Sequence, residues 1–112
     1  MKLKFLPSQK ERKRYVFFSI HSSMPVPFAE GKDAINGSLL GWMGNSSFAR
    51  AKPWVIRNLW TPKGGVIQCT HRYVDDVKLS LALIRQIGDA KVMFRTTRVS
   101  GTIKSGKEKL NS

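Results

Sequence analysis

Basic side chains near both ends of the chain have the types and spacing that phosphate binding requires. Arginine presents a planar fork of N–H donors that fits phosphate oxygens, and the backbone N–H groups of a Ser-Gly turn can form an anion nest. We therefore expect a phosphate-binding surface that draws on both ends of the chain. Its predicted members are Lys10, Arg12, Lys13, Arg14, Arg95, Arg98, Ser100, Gly101, Lys104, Lys107 and Lys109.

The C-terminal part of this set also allows a purely structural explanation. Ser100 can cap a terminal helix, and the lysines that follow can lie in solvent without a partner. The two explanations are compatible, because a capped helix can still present lysines to an anion.

Side chains suited to metal binding or catalysis are few. Cys69 and His71 share one strand face and His21 is a third candidate, but they lack the paired spacing of a structural zinc site. Asp75 and Asp76 could serve as magnesium ligands of a nuclease, yet neighbouring helix residues diverge by about 100° and acids at a helix start usually complement its dipole. We expect no catalytic residue, no metal site and no cofactor on this chain.

The charge is concentrated at the two ends. The chain of 112 residues has a formal net charge of +13, of which residues 1–14 and residues 91–112 each contribute +5. Such a charge disfavours a compact state unless a polyanion neutralises it, and nucleic acid is the usual polyanion. Neither end forms an amphipathic basic helix with a large apolar face, and no apolar run spans a bilayer, so a membrane is not the expected partner. A single cysteine fits a reducing cytoplasm.

Strands and helices that alternate along the chain must position these side chains. Runs of β-branched and aromatic residues predict strands, and apolar residues at i, i+3 and i+4 predict helices. The expected elements are strands at 14–23, 53–60, 65–73 and 91–99, helices at 28–43 and 74–88, and a turn at 61–65. Ile35, Leu39 and Trp42 form the predicted core stripe of the first helix, GNSS breaks it, and Gly88 ends the second.

The element order β-α-β-β-α-β predicts an α+β fold of the ferredoxin-like, RRM-like type. We expect an antiparallel four-stranded sheet, two helices on one face, and a short basic C-terminal helix or arm. The whole chain, 1–112, is then one domain, with a basic arm at 1–13, an α/β core at 14–99 and a basic segment at 100–112.

The sheet face away from the helices is the second candidate surface. RRM domains stack bases on aromatics of the middle strands, but the predicted third strand offers Gln68 and Thr70 on that face. Tyr15, Phe17, Met93 and Arg95 are expected to share it, either covered by the terminal segment or in contact with a partner.

The segments that carry the charge are also those that resemble a known family. LPSQKERKRYVFFSI at 6–20 and FRTTR followed by VSGTIKSGKEKL at 94–110 are similar to archaeal ribonuclease P protein component 2, a small RRM-like family with a eukaryotic counterpart. The resemblance covers the whole chain in order.

This resemblance implies a function in the removal of 5′ leaders from precursor tRNA. In that family the RNA carries the metal-dependent hydrolysis, so Mg²⁺ is expected with the RNA, and the protein stabilises the catalytic fold of that RNA. The implied partners are the ribonuclease P RNA, precursor tRNA in the assembled particle, the TIM-barrel-like protein component 3 and other subunits, with a homodimer within the assembly as a further option. The implied location is the cytoplasm.

Two functions of other classes remain open from the sequence. One is a free-standing metal-dependent nuclease that uses Asp75, Asp76 and a histidine. The other is a ferredoxin-like ligand sensor, which has no need of so large a positive charge.

Overall fold

A five-stranded antiparallel sheet with two helices on one face forms the body of the protein. The computed structural model describes residues 12–103. The elements are β1 (Lys13–Ser22), α1 (Phe28–Ala51), β2 (Trp54–Val55), β3 (Gly64–Thr70), α2 (Val74–Ala82), β4 (Gln86–Ile87) and β5 (Ala90–Ser100), with 3₁₀ turns at Arg57–Leu59 and His71–Tyr73. The strand order is β2-β3-β1-β5-β4. The expected α+β class is confirmed, and the sheet has five strands where four were predicted.

The core lies between β1 and the two helices. Alternate residues of β1, Val16, Phe18 and Ile20, are buried in one cluster with Ile35 and Leu39 of α1. The matching side chains of α2 and of the neighbouring strands are Val77, Leu81, Ile67, Cys69, Val92 and Phe94. Both helices therefore cover the same face of the sheet.

A kink divides α1 at Gly44. This residue has φ 80° and ψ 169°, which is far from helical geometry and which glycine adopts without strain. The prediction that GNSS breaks the first helix is confirmed. Trp42 was wrongly placed in the core stripe: its side chain is 49% exposed, and its Nε1 donates to Asp76 Oδ1 at 3.1 Å. It therefore joins the two helices at the surface.

The second helix ends six residues before the predicted stop at Gly88. Leu83 already follows the last helical residue, and its N–H is bonded to carbonyls of the preceding turn. Gln86 and Ile87 instead pair with Lys91 and Ala90 in a hairpin. Gly88 has φ 60° at the first position of the two-residue turn, as such hairpins require.

The predicted second strand was also too long. Only Trp54 and Val55 pair with β3, because the chain then turns at Arg57–Leu59 and carries the Trp60 ring over the core. The Nε1 of Trp60 donates to the carbonyl of Val26 at 2.9 Å, which fixes the ring. β3 likewise stops at Thr70, where the His71–Tyr73 turn begins, so the predicted end at residue 73 was wrong.

A β-bulge interrupts the pairing of β1 with β5. Phe17 lies opposite Arg98 and Phe18 lies opposite Thr96, so Thr97 has no partner residue in β1. The Thr97 hydroxyl donates to the carbonyl of Phe17 at 3.2 Å and holds the bulge closed. An extra residue of this kind shifts all later side chains of the strand to the opposite face.

The predicted basic arm at the N-terminus and the predicted helix or arm at the C-terminus lie mostly outside the described residues. Within residues 12–103, no helix is both long and apolar enough to cross a membrane.

Candidate nucleic-acid interface

The antiparallel pairing brings some of the predicted residues of both chain ends, Arg12, Lys13, Arg14, Ser100 and Gly101, to one end of the sheet. Lys13, near the start of β1, pairs with Thr70 at the end of β3, and Tyr15 pairs with Ser100 at the end of β5. The start of β1 therefore lies between the last residues of β3 and β5. We call this region, built around Arg12, Lys13, Arg14, Ser100 and Gly101, the basic end of the sheet.

Arg14 and Gly101 are close neighbours there. A Cβ on Gly101 would stand 3.7 Å from the Nη1 of Arg14, and that nitrogen donates to the carbonyl of Lys13 at 2.9 Å. The guanidinium is thus held beside the Ser-Gly turn, and its contact with a phosphate stays a prediction. Arg12 and Lys13 are exposed, so their charges face solvent.

The side chain of Ser100 is used within the chain. Its hydroxyl oxygen accepts the N–H of Thr102 at 3.1 Å and donates to the carbonyl of Thr102 at 2.8 Å. Ser100 is 8% exposed. These local bonds fit the explanation that Ser100 caps the segment that follows it. Contact between an anion and the turn stays a prediction.

Two arginines that the sequence reasoning missed lie beside the basic end. The N–H of His71 donates to the carbonyl of Arg12 at 2.7 Å, so the adjacent, exposed Arg72 lies near Arg12. The Thr70 hydroxyl donates to the carbonyl of Arg50 at 3.4 Å, so the end of α1 also reaches this region. The available signal was a basic residue close to the end of an element: Arg50 lies in the last turn of α1, and Arg72 lies two residues after β3.

The bulge in β5 places Arg95 and Arg98 on the same face of the sheet. Simple alternation would put residues three apart on opposite faces. Instead Arg95 pairs with Ser19 and Arg98 pairs with Phe17, and these two residues of β1 share the face away from the helices. Arg95 is exposed and Arg98 is half-buried.

The predicted sharing of that face by Tyr15, Phe17, Met93 and Arg95 agrees with the register. Phe17 is only 1% exposed, whereas Met93 is 60% exposed, so Met93 presents the larger apolar surface. Contact of Tyr15, Phe17 or Met93 with a partner stays a prediction. Lys10, Lys104, Lys107 and Lys109 lie outside the described residues.

The third strand presents no aromatic side chain on the face away from the helices. Ile67 and Cys69 belong to the core, as expected, and Val66, Gln68 and Thr70 alternate with them. A mode of base stacking that needs aromatics on β3 is therefore not available.

The candidate metal ligands are not brought together. Cys69 lies near the start of β1, whereas His21 lies at the other end of that strand, opposite Met93. Burial raises the pKa of the Cys69 thiol to about 11, so it is neutral at pH 7 and a poor ligand. Among residues 12–103, no three His, Cys, Asp or Glu side chains are grouped so that they could hold a metal ion.

Comparison with known proteins identifies similar chains across nearly the whole length. A family model described as the Rpp14/Pop5 family matches residues 14–111. Ribonuclease P protein component 2 of Pyrococcus furiosus is 37% identical over 95% of this chain and 88% of the relative. The protein of the same name from Methanocaldococcus jannaschii is 32% identical over 92% and 75%.

A likeness is also found among solved structures. A chain in the cryo-EM structure of yeast ribonuclease MRP has a TM-score of 0.64 and covers 92% of this chain and 94% of its own length. Its sequence identity is 12%, so this likeness concerns the fold alone.

Proposed function

The chain belongs to the Rpp14/Pop5 family, and on that basis we propose that it is a protein subunit of ribonuclease P, the ribonucleoprotein that removes 5′ leaders from precursor tRNA. The chain binds and stabilises the catalytic RNA and is not itself the catalyst. Its similarity to proteins named ribonuclease P protein component 2, over most of both chains, supports this assignment.

The observation that carries the RNA-binding role is the basic end of the sheet. Arg12, Lys13 and Arg14 lie at the start of the first strand, Arg72 lies in the turn after the third, and Arg50 lies in the last turn of the first helix. Separate segments thus deliver cations to one region, where an RNA backbone would neutralise them and release its own counterions.

We propose further details that the fold and the family support. We assign the sheet to the ferredoxin-like, RRM-like type; the order β2-β3-β1-β5 supports this assignment, with β4 as an added short strand. The partners would be the ribonuclease P RNA, precursor tRNA in the assembled particle, the TIM-barrel-like component 3 and other subunits, with a homodimer as an option. Mg²⁺ would act with the RNA. The assembled particle would lie in the cytoplasm.

A salt titration of RNA binding tests the proposal. We expect Lys13→Gln combined with Arg72→Gln to weaken binding to the ribonuclease P RNA and to lower the slope of log affinity against log salt by roughly 2. Both side chains are exposed, so the fold should be retained.

The matched control is Arg85→Gln combined with Lys91→Gln. Both are exposed, their loss changes the net charge equally, and they lie by the β4–β5 hairpin at the opposite end of the sheet. Equal slopes for the two double variants would refute a localised basic end. Cleavage of precursor tRNA by the purified chain with Mg²⁺ and no RNA subunit would refute the non-catalytic assignment.

A further inference from the structure

A cleft with aromatic walls lies between α1 and the short strand β2. Its volume is about 370 Å³, which is in the range of sites for small molecules. We call it the aromatic cleft; its walls include Phe28, Lys32, Asn36, Phe48, Trp54 and Arg57. None of these residues belongs to the basic end.

The walls of the cleft follow from helix geometry and from the turn after β2. Phe28, Lys32 and Asn36 are spaced by four residues and so form one stripe along α1. Arg57 begins the 3₁₀ turn after β2, and Trp54 lies within that strand. Trp54 is 64% exposed, an unusual state for so large an apolar side chain.

Two cations converge on one ring in the cleft. The Nζ of Lys32 stands 5.9 Å and the guanidinium carbon of Arg57 stands 5.6 Å from the centroid of the Phe28 ring. The described residues that line the cleft include no carboxylate to offset these charges. Both cations lie within 6 Å of the same ring centroid, so they contribute to one local region of positive potential that a bound anion would neutralise.

We propose that the aromatic cleft binds one unpaired nucleotide of RNA. The base stacks against the aromatic wall at Trp54, the phosphate lies on Lys32 and Arg57, and the Asn36 amide offers a donor and an acceptor to a base edge. This inference rests on the proposed function, because it assigns a second RNA contact to the same subunit. The two cations favour an anionic occupant, and the exposed Trp54 ring favours one with a base to stack, so we expect RNA in preference to a peptide.

Binding of short RNA to the full chain tests the stacking contact. The probe is an oligouridylate of about ten nucleotides, and its counterpart is an abasic oligomer of equal length and charge. We expect Trp54→Ala to weaken the binding of the oligouridylate about tenfold and to leave the binding of the abasic oligomer unchanged. Trp54→Phe should restore most of the affinity. Trp42→Ala is the control, because Trp42 is 49% exposed and lies outside the cleft.

A second pair of variants tests the phosphate contact. Lys32→Gln with Arg57→Gln should weaken the binding of both oligomers and lower the slope of log affinity against log salt by roughly 1–2. Arg85→Gln with Lys91→Gln should change neither the affinity nor the slope. An equal effect of both double variants would overturn the phosphate assignment, because the loss would then reflect net charge alone.

The outcomes separate this inference from the proposed function. If Trp54→Ala leaves oligouridylate binding unchanged while Lys13→Gln with Arg72→Gln still weakens ribonuclease P RNA binding, the cleft inference fails and the proposed function stands. If Trp54→Ala releases another protein subunit from the reconstituted particle without changing oligouridylate binding, the cleft is a protein site and our inference is overturned. Failure of the intact chain to bind ribonuclease P RNA overturns the proposed function.

Discussion

Cys69 has the most strongly perturbed environment of the titratable side chains in residues 12–103. Its sulfur lies among the apolar side chains of the core and its residue is 1% exposed. A thiolate there would lose its hydration without gaining a partner, and the pKa accordingly rises from 9.0 to about 11. The thiol thus behaves as a small apolar side chain and not as a nucleophile or a metal ligand.

This pKa predicts a loss of stability at high pH. The unfolded chain releases the thiol proton near pH 9 and the folded chain near pH 11. Ionisation of this thiol therefore leaves the free energy of unfolding unchanged below pH 9 and lowers it as pH rises from 9 to 11. We expect a fall of about 2–3 kcal/mol that is absent from Cys69→Ala. Urea unfolding of both proteins between pH 7 and 11 measures it, and parallel curves would contradict the prediction.

The success of the sequence reasoning at the residue scale depended on where each residue lies along the chain. Arg12, Lys13 and Arg14 were found because they are contiguous. Arg50 and Arg72 were missed because neither belongs to the charged runs at the chain ends, and each reaches the basic end through the contacts of Thr70 and His71. Trp42 fitted the helical stripe but lies at its edge, where the indole N–H finds Asp76.

Glycine has opposite roles at two positions of the first helix. Gly31 is buried, and a Cβ there would collide with the Trp60 ring, whose Nε1 is fixed on the carbonyl of Val26. Gly37 is exposed, and a Cβ there would have no other atom within 4 Å. One glycine allows the helix to approach the ring, and the other only weakens the helix.

Alanine at these two positions should therefore change stability in opposite directions. We expect Gly31→Ala to lower the free energy of unfolding by about 1–3 kcal/mol, because the fixed ring must move. Gly37→Ala should raise it by about 1 kcal/mol through helix propensity. Urea unfolding of the two variants measures both changes in the free energy of unfolding. A stabilising Gly31→Ala would show that the Trp60 ring moves freely.

At the scale of elements, periodicity located every main helix and strand but not the points where they end. The break at Gly44 was readable, since GNSS contains no helix former. β4 was missed because LALIRQIG continues the helical spacing, while the hairpin depends on pairing with β5. The bulge at Thr97 has no local signal, because it appears only when β5 is aligned with β1.

The charge of the whole molecule is distributed over more than one surface. The basic end gathers cations at the start of β1, and the bulge adds Arg95 and Arg98 on the face away from the helices. An RNA large enough to meet both surfaces would contact the sheet along much of β5.

We expect Arg95→Ala with Arg98→Ala to weaken binding to the ribonuclease P RNA and to lower the salt slope by roughly 2. Lysine at both positions should restore only part of the loss, because an ammonium cannot make the forked contact. A salt titration and thermal melting on the same samples measure it, with Arg85→Ala and Lys91→Ala as the matched pair. An unchanged slope with a lowered melting temperature would show that the two arginines serve packing.

The pairing of β1 with β5 has a consequence for synthesis on the ribosome. The first strand receives this neighbour only after about 70 further residues, which takes several seconds at about 5–20 residues per second. Until then one edge of β1 offers unpaired backbone groups to any other nascent chain. Two β1 strands that pair in parallel would bring Lys13 and Arg14 of both copies together, so we expect the charges suited to RNA to disfavour that form of self-association as well.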